Sequence, residues 1–507
     1  MTAQSSTEIE RTFEISEASP VPDLTGLAGI ATVRQIADEA LDATCYDTAD
    51  FRLIRSRTTL RRRRGGRDAG WHLKLPLDGQ AREEVTLALG RSTAVPEELR
   101  TLVLSRTRGA PLAPVVRLRT ARSVRLLLDS AGNVLAELAD DRVVGQTLGA
   151  VGRRVVWREL EVELVEGDQA ALGAIGAHLL ASGARVSARP SKLARTLEGL
   201  LPVTDRDRAH ALPRRPTAAQ VVHQHLLVQI DELVRCDPDV RRGAVDAVHK
   251  MRVATRRLRS ALRTYRPLLE PATTSVLCAE LKHLAAVLGE ARDAEVLREH
   301  LLAVAADLPQ DLIIGSALTD LEQHLGERCT AGMAMVNSEL AGERYIAVLE
   351  ALEGLAESPP WRQRAHRPAA GELRRAVGRA AGDLDRAAAA AKAAPTLVER
   401  EELLHDVRKT AKQARYVAES TLAVVGGEAA RFARRAERIQ AALGEHQDSG
   451  LVREQLAAFA TGRPAGQDGF TLGVLYGGEQ VRADRARIAY VQAWQVFSRP
   501  RTRRWLG

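Results

Sequence analysis

The sequence predicts an α+β multidomain protein: a strand-rich antiparallel N-terminal half with flanking helices, followed by an all-α C-terminal helical bundle with internal duplication. Three observations carry this prediction. Over the first two hundred residues, charged and apolar residues alternate at period two, as strands with two unlike faces do. From Thr217 onward the pattern changes to alanine, leucine and arginine at helical spacing. The second half also repeats itself at an offset of about 155 residues.

Taken in chain order, the segment Met1 to Glu10 is polar and acidic, without the basic stretch and apolar run of a secretory signal, so a cytoplasmic protein is expected. Alternation marks strands at Glu8-Ile9-Glu10, Leu60 to Arg63, His72 to Leu75, Val116 to Arg119 and Glu159 to Glu163. Gly65-Gly66-Arg67-Asp68-Ala69-Gly70 reads as a hairpin connection between the second and third of these. Short helices are expected over Pro96 to Leu104 and Gln169 to Ser182. The first domain then spans residues 1–201, and the charged, proline-marked stretch 202–216 is a linker. A helical domain over 217–497 is punctuated near Pro267 to Pro271, Pro309, Ser358 to Pro368, Pro395 and Gly426-Gly427, and 498–507 forms a basic tail.

Composition excludes several classes. The 45% hydrophobic content rules out wholesale disorder, and no apolar run approaches the roughly 20 residues of a membrane span. Cys45, Cys236, Cys278 and Cys329 have neither disulfide-framework nor zinc spacing. A net charge of +8 points to an anionic partner. Aromatic residues are only 3% of the chain, which disfavours a protein that stacks nucleic-acid bases.

In the helical half, His249, Arg252, Arg256, Arg259 and Arg263 fall on one stripe roughly 80° wide at helical spacing. Met251, Leu258 and Leu262 fall opposite. A single stripe of this kind fits a solvated charged face, but Lys250 to Arg263 contains no acid, whereas ordinary exposed helices mix signs to form i,i+4 pairs. The repeat draws a second stripe with His405, Arg408, Lys412 and Arg415. Leu288-Gly289-Glu290 with Asp293 recurs as Leu443-Gly444-Glu445 with Asp448. Two self-repelling stripes favour a polyanion, and arginine's planar fork suits phosphate oxygens. These doubled motifs resemble the CHAD domain, a helical bundle with a basic channel for inorganic polyphosphate. The resemblance implies phosphate contacts at His249, Arg252, Arg256, Arg259, His405, Arg408, Lys412 and Arg415, with Asp293 and Asp448 either contacting or orienting.

In the N-terminal half, Glu8 with Glu10, Arg61 with Arg63, His72 with Lys74, Arg82 with Glu84, Arg117 with Arg119, and Glu159 with Glu161 and Glu163 are one-sided sets on their strands. For each strand alone a charged solvent face is the simpler account. A sheet closed with these charges inward would hold carboxylates for divalent cations and guanidinium groups for phosphate. Glu8-Ile9-Glu10, the arginine pair before the glycine hairpin, Arg82-x-Glu84, Arg117-x-Arg119, the triple-glutamate strand and Ser191-Lys192 resemble the CYTH family over residues 5–200. That family comprises β-barrel tunnel enzymes using magnesium or manganese, among them triphosphatases and adenylyl cyclases. The resemblance implies Mg2+ or Mn2+ at Glu8, Glu10, Glu159, Glu161 and Glu163. It implies substrate contacts at Arg61, Arg63, Lys74, Arg82, Arg117, Arg119 and Lys192, with Glu8, Glu10, Arg61, Arg63 and Lys74 central to catalysis. Where the family's first motif has a lysine, this chain has Thr12. The expectation is an inorganic triphosphatase acting on triphosphate or polyphosphate ends, fused to a polyphosphate-binding bundle. The alternative is a non-catalytic polyphosphate-binding or targeting protein with a tunnel impaired at Thr12. A cyclase and a nucleic-acid binder rank below both.

Overall fold

A computed structural model of the chain describes residues 4–36, 38–77, 81–149, 152–201, 212–461 and 468–506. It separates into two compact units, Met1–Val203 and Thr204–Gly507. Residues 202–211 of the expected linker lie outside the described residues.

The first unit is built on strands β1 (Gln4–Glu8), β2 (Glu10–Glu14), β3 (Thr32–Gln35), β4 (Glu39–Asp47), β5 (Thr59–Arg64), β6 (Gly70–Pro76), β7 (Arg82–Ala88), β8 (Ala113–Leu128), β9 (Val134–Thr147), β10 (Arg154–Leu164) and β11 (Arg185–Val186). Their order is β1-β7-β6-β5-β4-β8-β9-β10-β2-β11, every described pairing is antiparallel, and β3 lies on β8. The expected first strand is broken at Ile9: β1 pairs with β7 and β2 with β10. Residues 4–14 therefore bridge the two ends of the sheet, which curls into a tunnel.

The pleat sorts side chains in the reverse of a soluble sheet. Leu60, Trp71, Leu73 and Val85 point outward into an apolar layer with Leu99 of α2 (Glu97–Leu102), which follows α1 (Arg52–Arg55). Pro96 and Leu104 fall outside α2, and the chain turns once more in α3 (Leu104–Thr107). Phe13, Leu160 and Val162 likewise pack on Leu172, Ile175 and Leu179 of α4 (Gln169–Ala181), whose N-cap Asp168 accepts from the Ala171 amide. The charged residues at alternate positions are left facing inward. One part of the tunnel wall is apolar, where Cys45, Val116, Leu118, Val143 and Trp157 meet Leu193 and Leu197 at α5 (Lys192–Thr196).

The second unit consists of α6 (Ala218–Arg241), α7 (Ala247–Thr264), α8 (Pro271–Ala306), α9 (Ala317–Ala341), α10 (Glu343–Glu357), α11 (Ala369–Ala393), α12 (Leu397–Glu419), α13 (Leu422–Val425), α14 (Gly427–Thr461) and α15 (Asp468–Phe497). Thr217 caps α6 in a capping box with Gln220, and Thr396 caps α12 by accepting from the Glu399 amide. Met251, Ala254, Leu258 and Leu262 of α7 are buried, so the basic stripe of that helix is turned away from the core. The duplicated segments fall on α7 with α8 and on α12 with α14. No helix of the described residues is long and apolar enough to cross a membrane.

Candidate functional site

Strand register creates the tunnel's chemistry. Lys74 faces Glu84 across β6 and β7, Glu10 faces Glu163, and Glu159 faces Asp141 across β9 and β10. The polar lining includes Glu8, Glu10, Thr12, Arg61, Arg63, Lys74, Arg82, Glu84, Arg122, Glu159, Glu161, Glu163 and Lys192. Thr12 faces the interior shared with Glu8 and Glu10.

Two charge clusters are distinct. In the first, the Lys74 ammonium pairs with Glu8, lies 3.8 Å from Glu10 and 4.0 Å from Glu84, while Arg61 is 3.7 Å from Glu84. His72 Nδ1 is 3.0 Å from Glu84, and its Nε2 is 2.9 Å from the Asp68 carbonyl. Burial pushes the Glu8 carboxyl up to about 7 against the pull of Lys74. Glu84, although burial opposes it, is held well below the usual range by His72, Lys74 and Arg61. Burial, with Arg61 and Arg122 close by, pushes Arg63 down to about 9.

In the second cluster, carboxylate oxygens of Asp141, Glu159 and Glu161 all lie within 4.8 Å of one another. The Lys192 ammonium is 3.0 Å from Asp141, 2.8 Å from Glu159 and in contact with Glu161, and Arg122 is 2.6 Å from both Asp141 and Glu161. Burial raises Glu159, whereas Lys192 and Arg122 overcome burial and hold Glu161 far below its ordinary value. An all-oxygen anionic donor set of this kind fits magnesium or manganese. A lysine ammonium already resting among the three carboxylates shows that the pocket accommodates a compact cation.

The tunnel brings together all the expected anion contacts except Arg117 and Arg119, and here the reading is corrected. Arg119 is exposed, and Arg117 is bound on the outer face to Asp42, its Nε donating over 2.8 Å. Leu118 points inward from between them, and the inward arginine of β8 is Arg122, four residues along the same face. Asp141 and Arg122 are the site residues that sequence reasoning missed, while Glu84, read as sharing a strand face with Arg82, was given no role in the site. The i,i+4 relation of Arg122 to Leu118 was the available signal.

In the second unit, α7 and α12 border a groove of about 1120 Å³. His249, Arg252, Arg256, Arg259 and Arg263 line it from one helix, and His405, Arg408 and Lys412 from the other. The glycine–aspartate motifs build the seat of two arginines. A Cβ on Gly289 would stand 3.4 Å from Arg252 Nη2, and one on Gly444 3.2 Å from Arg408 Nη2, so each guanidinium lies close against a bare stretch of helix. Asp293 accepts from Arg252 over 2.8 Å, while Asp448 is 3.7 Å from Arg408, which donates to Gln447 over 3.0 Å. Arg256, Arg259, Arg263 and Lys412 have no hydrogen-bond or ion-pair partner among the described residues. Burial, with Arg252 and Arg408 nearby, lowers Arg256.

Arg415 does not line the groove. Its Nε donates to Glu419 over 2.7 Å, and Nη1 lies 3.0 Å from Glu437. Glu419 stands in the second repeat where Arg263 stands in the first, so the stripe of α12 ends in an acid that draws Arg415 aside.

The CYTH domain family matches residues 6–196 and the CHAD domain family matches residues 224–457. Two uncharacterized proteins from two strains of Mycobacterium tuberculosis are each 36% identical over 502 residues, covering 95% of this chain and 94% of theirs. Among solved structures, PptA from Streptomyces chartreusis is 23% identical, covers 55% of this chain and 99% of its own, and superposes with a TM-score of 0.48. The CHAD domain from the plant Ricinus communis is 21% identical, covers 56% of this chain and 94% of its own, and has a TM-score of 0.43.

Proposed function

This chain belongs to the family of proteins that join a CYTH domain to a CHAD domain, and from that premise we propose that it is an inorganic triphosphatase whose helical unit binds polyphosphate. The observation that carries the reading is the gathering of cationic side chains and carboxylates in one tunnel. Arg61, Arg63, Lys74, Arg82 and Arg122 line a polar cavity, and Glu159 and Glu161 of the same lining converge with the buried Asp141 beside Arg122 and Lys192. Guanidinium and ammonium groups hold a triphosphate, or the end of a longer chain, by its equatorial oxygens, and stabilise the charge that spreads over them in phosphoryl transfer. Asp141, Glu159 and Glu161 would hold magnesium or manganese, with Glu8, Glu10 and Glu163 facing the same space. The ion supplies charge neutralisation and Lewis acidity at the phosphate. Lys192, which rests among these carboxylates, would be available to contact phosphate if a dication were held by them instead. Arg63, lying below the usual guanidinium range through burial, remains cationic at neutral pH.

In the helical unit, the unpaired Arg256, Arg259, Arg263 and Lys412 are the reason to assign polyphosphate to the groove. A second reading, a non-catalytic polyphosphate-binding protein, is favoured by one observation: Thr12 lines the tunnel where the family motif has a cation. Phosphate release from tripolyphosphate, ATP, thiamine triphosphate and long polyphosphate, with magnesium, manganese or EDTA, separates the two. Metal-dependent release with inorganic substrates preferred supports the enzyme. No release from any of them, with retained polyphosphate binding, replaces the enzyme by the binding protein.

A further inference from the structure

The groove uses one side of the α14–α15 pair. Gln440, Gln447 and Asp448 of α14 and Ala483, Asp484 and Arg487 of α15 line it. At about 100° per residue, Ala442 and Glu445 of α14 and Ala489, Ala493 and Val496 of α15 point the other way. There they bound a separate cleft of about 420 Å³, with Arg435 and Arg438 along its wall.

Arg431 and Arg434 continue this basic stripe one turn back along α14. Arg501 reaches it from the C-terminus, because residues 500–506 fold onto the bundle instead of trailing away. Thr502 is buried there, its Oγ donating to the Phe497 carbonyl over 2.9 Å, and Trp505 and Leu506 pack on the core. These five arginines have no hydrogen-bond or ion-pair partner among the described residues. Arg435 feels the other four: slight burial and then Arg431, Arg501, Arg438 and Arg434 lower it. In the first repeat the positions matching Arg431, Arg435 and Arg438 are Val276, Glu280 and His283, so the cluster is not a by-product of the duplicated groove.

Five like charges held together without an ion-pair partner among the described residues, with Glu445 the one acid among the residues lining the cleft, are self-repelling and give the fold nothing, so an external anion is the compensating partner. We propose that this arginine patch is a second binding site for inorganic polyphosphate, and that one long chain engages both the groove and the patch on opposite sides of the α14–α15 pair. The proposal rests on the polyphosphate reading of the groove. Each helix is only about 10–12 Å across, a short span for a flexible chain to wrap. The cleft between the arginines is floored by Ala441, Ala442, Ala489 and Ala493, with no aromatic face to stack a base, which favours a bare phosphate chain over single-stranded nucleic acid. Engagement at two sites makes the second contact intramolecular, so affinity rises with chain length beyond what the groove alone provides.

The test uses the full-length protein and the variant Arg431→Gln/Arg434→Gln/Arg435→Gln/Arg438→Gln/Arg501→Gln, with helical content checked by circular dichroism. Tripolyphosphate, long-chain polyphosphate and duplex DNA are titrated at two salt concentrations. The expected result is unchanged tripolyphosphate binding and a loss of about tenfold or more for the long chain, with a shallower salt dependence. Arg435→Lys/Arg438→Lys, which keeps the charge, should retain most of the long-chain affinity. Equal long-chain affinity in variant and wild type overturns the patch while leaving the groove intact. A loss confined to DNA makes the patch a nucleic-acid surface and also overturns the proposal. Failure of the wild type to bind polyphosphate of any length removes the groove reading and this proposal together.

Discussion

Lys192 is the most informative residue to perturb, because its ammonium is the compact cation among Asp141, Glu159 and Glu161, and its side chain is only 11% exposed. Lys192→Met keeps the bulk and removes the charge, leaving three buried carboxylates with Arg122 as their remaining close cation. Deleting one partner of a buried ion pair typically costs about 3–5 kcal/mol, since the remaining charge is stranded away from water. For a unit of this size, where about 1 kcal/mol shifts the midpoint by 2–4 °C, the tunnel transition should drop by roughly 6–20 °C in calorimetry of the full-length protein. The same vacancy is a better metal site than the wild type's, because the dication no longer competes with a tethered ammonium. Manganese at about a hundredfold over its dissociation constant should return about 2.7 kcal/mol, most of the loss. Lys192→Arg should lie near wild type in stability. If Lys192→Met melts like the wild type and manganese moves neither protein, the acidic trio is not a cation site and this reasoning is refuted.

Three further outcomes follow from the geometry. Thr12→Lys places an ammonium inside the tunnel, opposite Glu161 in the β2–β10 register, and should raise tripolyphosphate hydrolysis by about tenfold or more if a missing cation limits transition-state stabilisation; steady-state kinetics with an equal or lower rate would show another residue fills the role. Replacing Arg252, Arg256, Arg408 and Lys412 together by alanine should lower polyphosphate affinity by about a hundredfold or more while helical content holds, because alanine is the better helix former; binding assays on a variant that retains full affinity would exclude the groove. His225 of α6 is pushed down to about 4 by burial and by Arg257, below the ordinary 6.5, so the unfolded chain binds more protons between these values. Its contribution to stability is complete above pH 6.5 and is lost as pH falls towards 4, on the order of 1–3 kcal/mol, and a melting series over this range should be flatter for His225→Gln.

Much of this protein is determined locally and could be read from the chain. Leu60 alternating with Arg61, and Leu73 with Lys74, specifies which strand face is polar, because the pleat has period two whatever the partner strand is. The doubled His-x-x-Arg stripes specify two basic helix faces for the same reason at a period of 3.6. What the local period cannot specify is which face closes inward and which residues stand opposite. Arg117 and Arg119 were assigned inward because they carry charge, but that part of the tunnel wall is apolar, so Leu118 takes the inward place and the arginines are turned out. Asp140 and Asp141 are adjacent acids on opposite faces. Only the register that sets Asp141 against Arg122 and Glu159 makes it part of the carboxylate trio, while Asp140 is bound to Arg158 on the other side. Arg415 obeys its helical stripe but is drawn away by Glu419 and Glu437, and the C-terminal arginines become a surface because Thr502, Trp505 and Leu506 anchor that segment to the bundle. Apart from the i,i+4 pair of Arg415 with Glu419, these outcomes depend on contacts between residues distant in the chain, and strand pairing and helix packing, which no local period encodes, decided them.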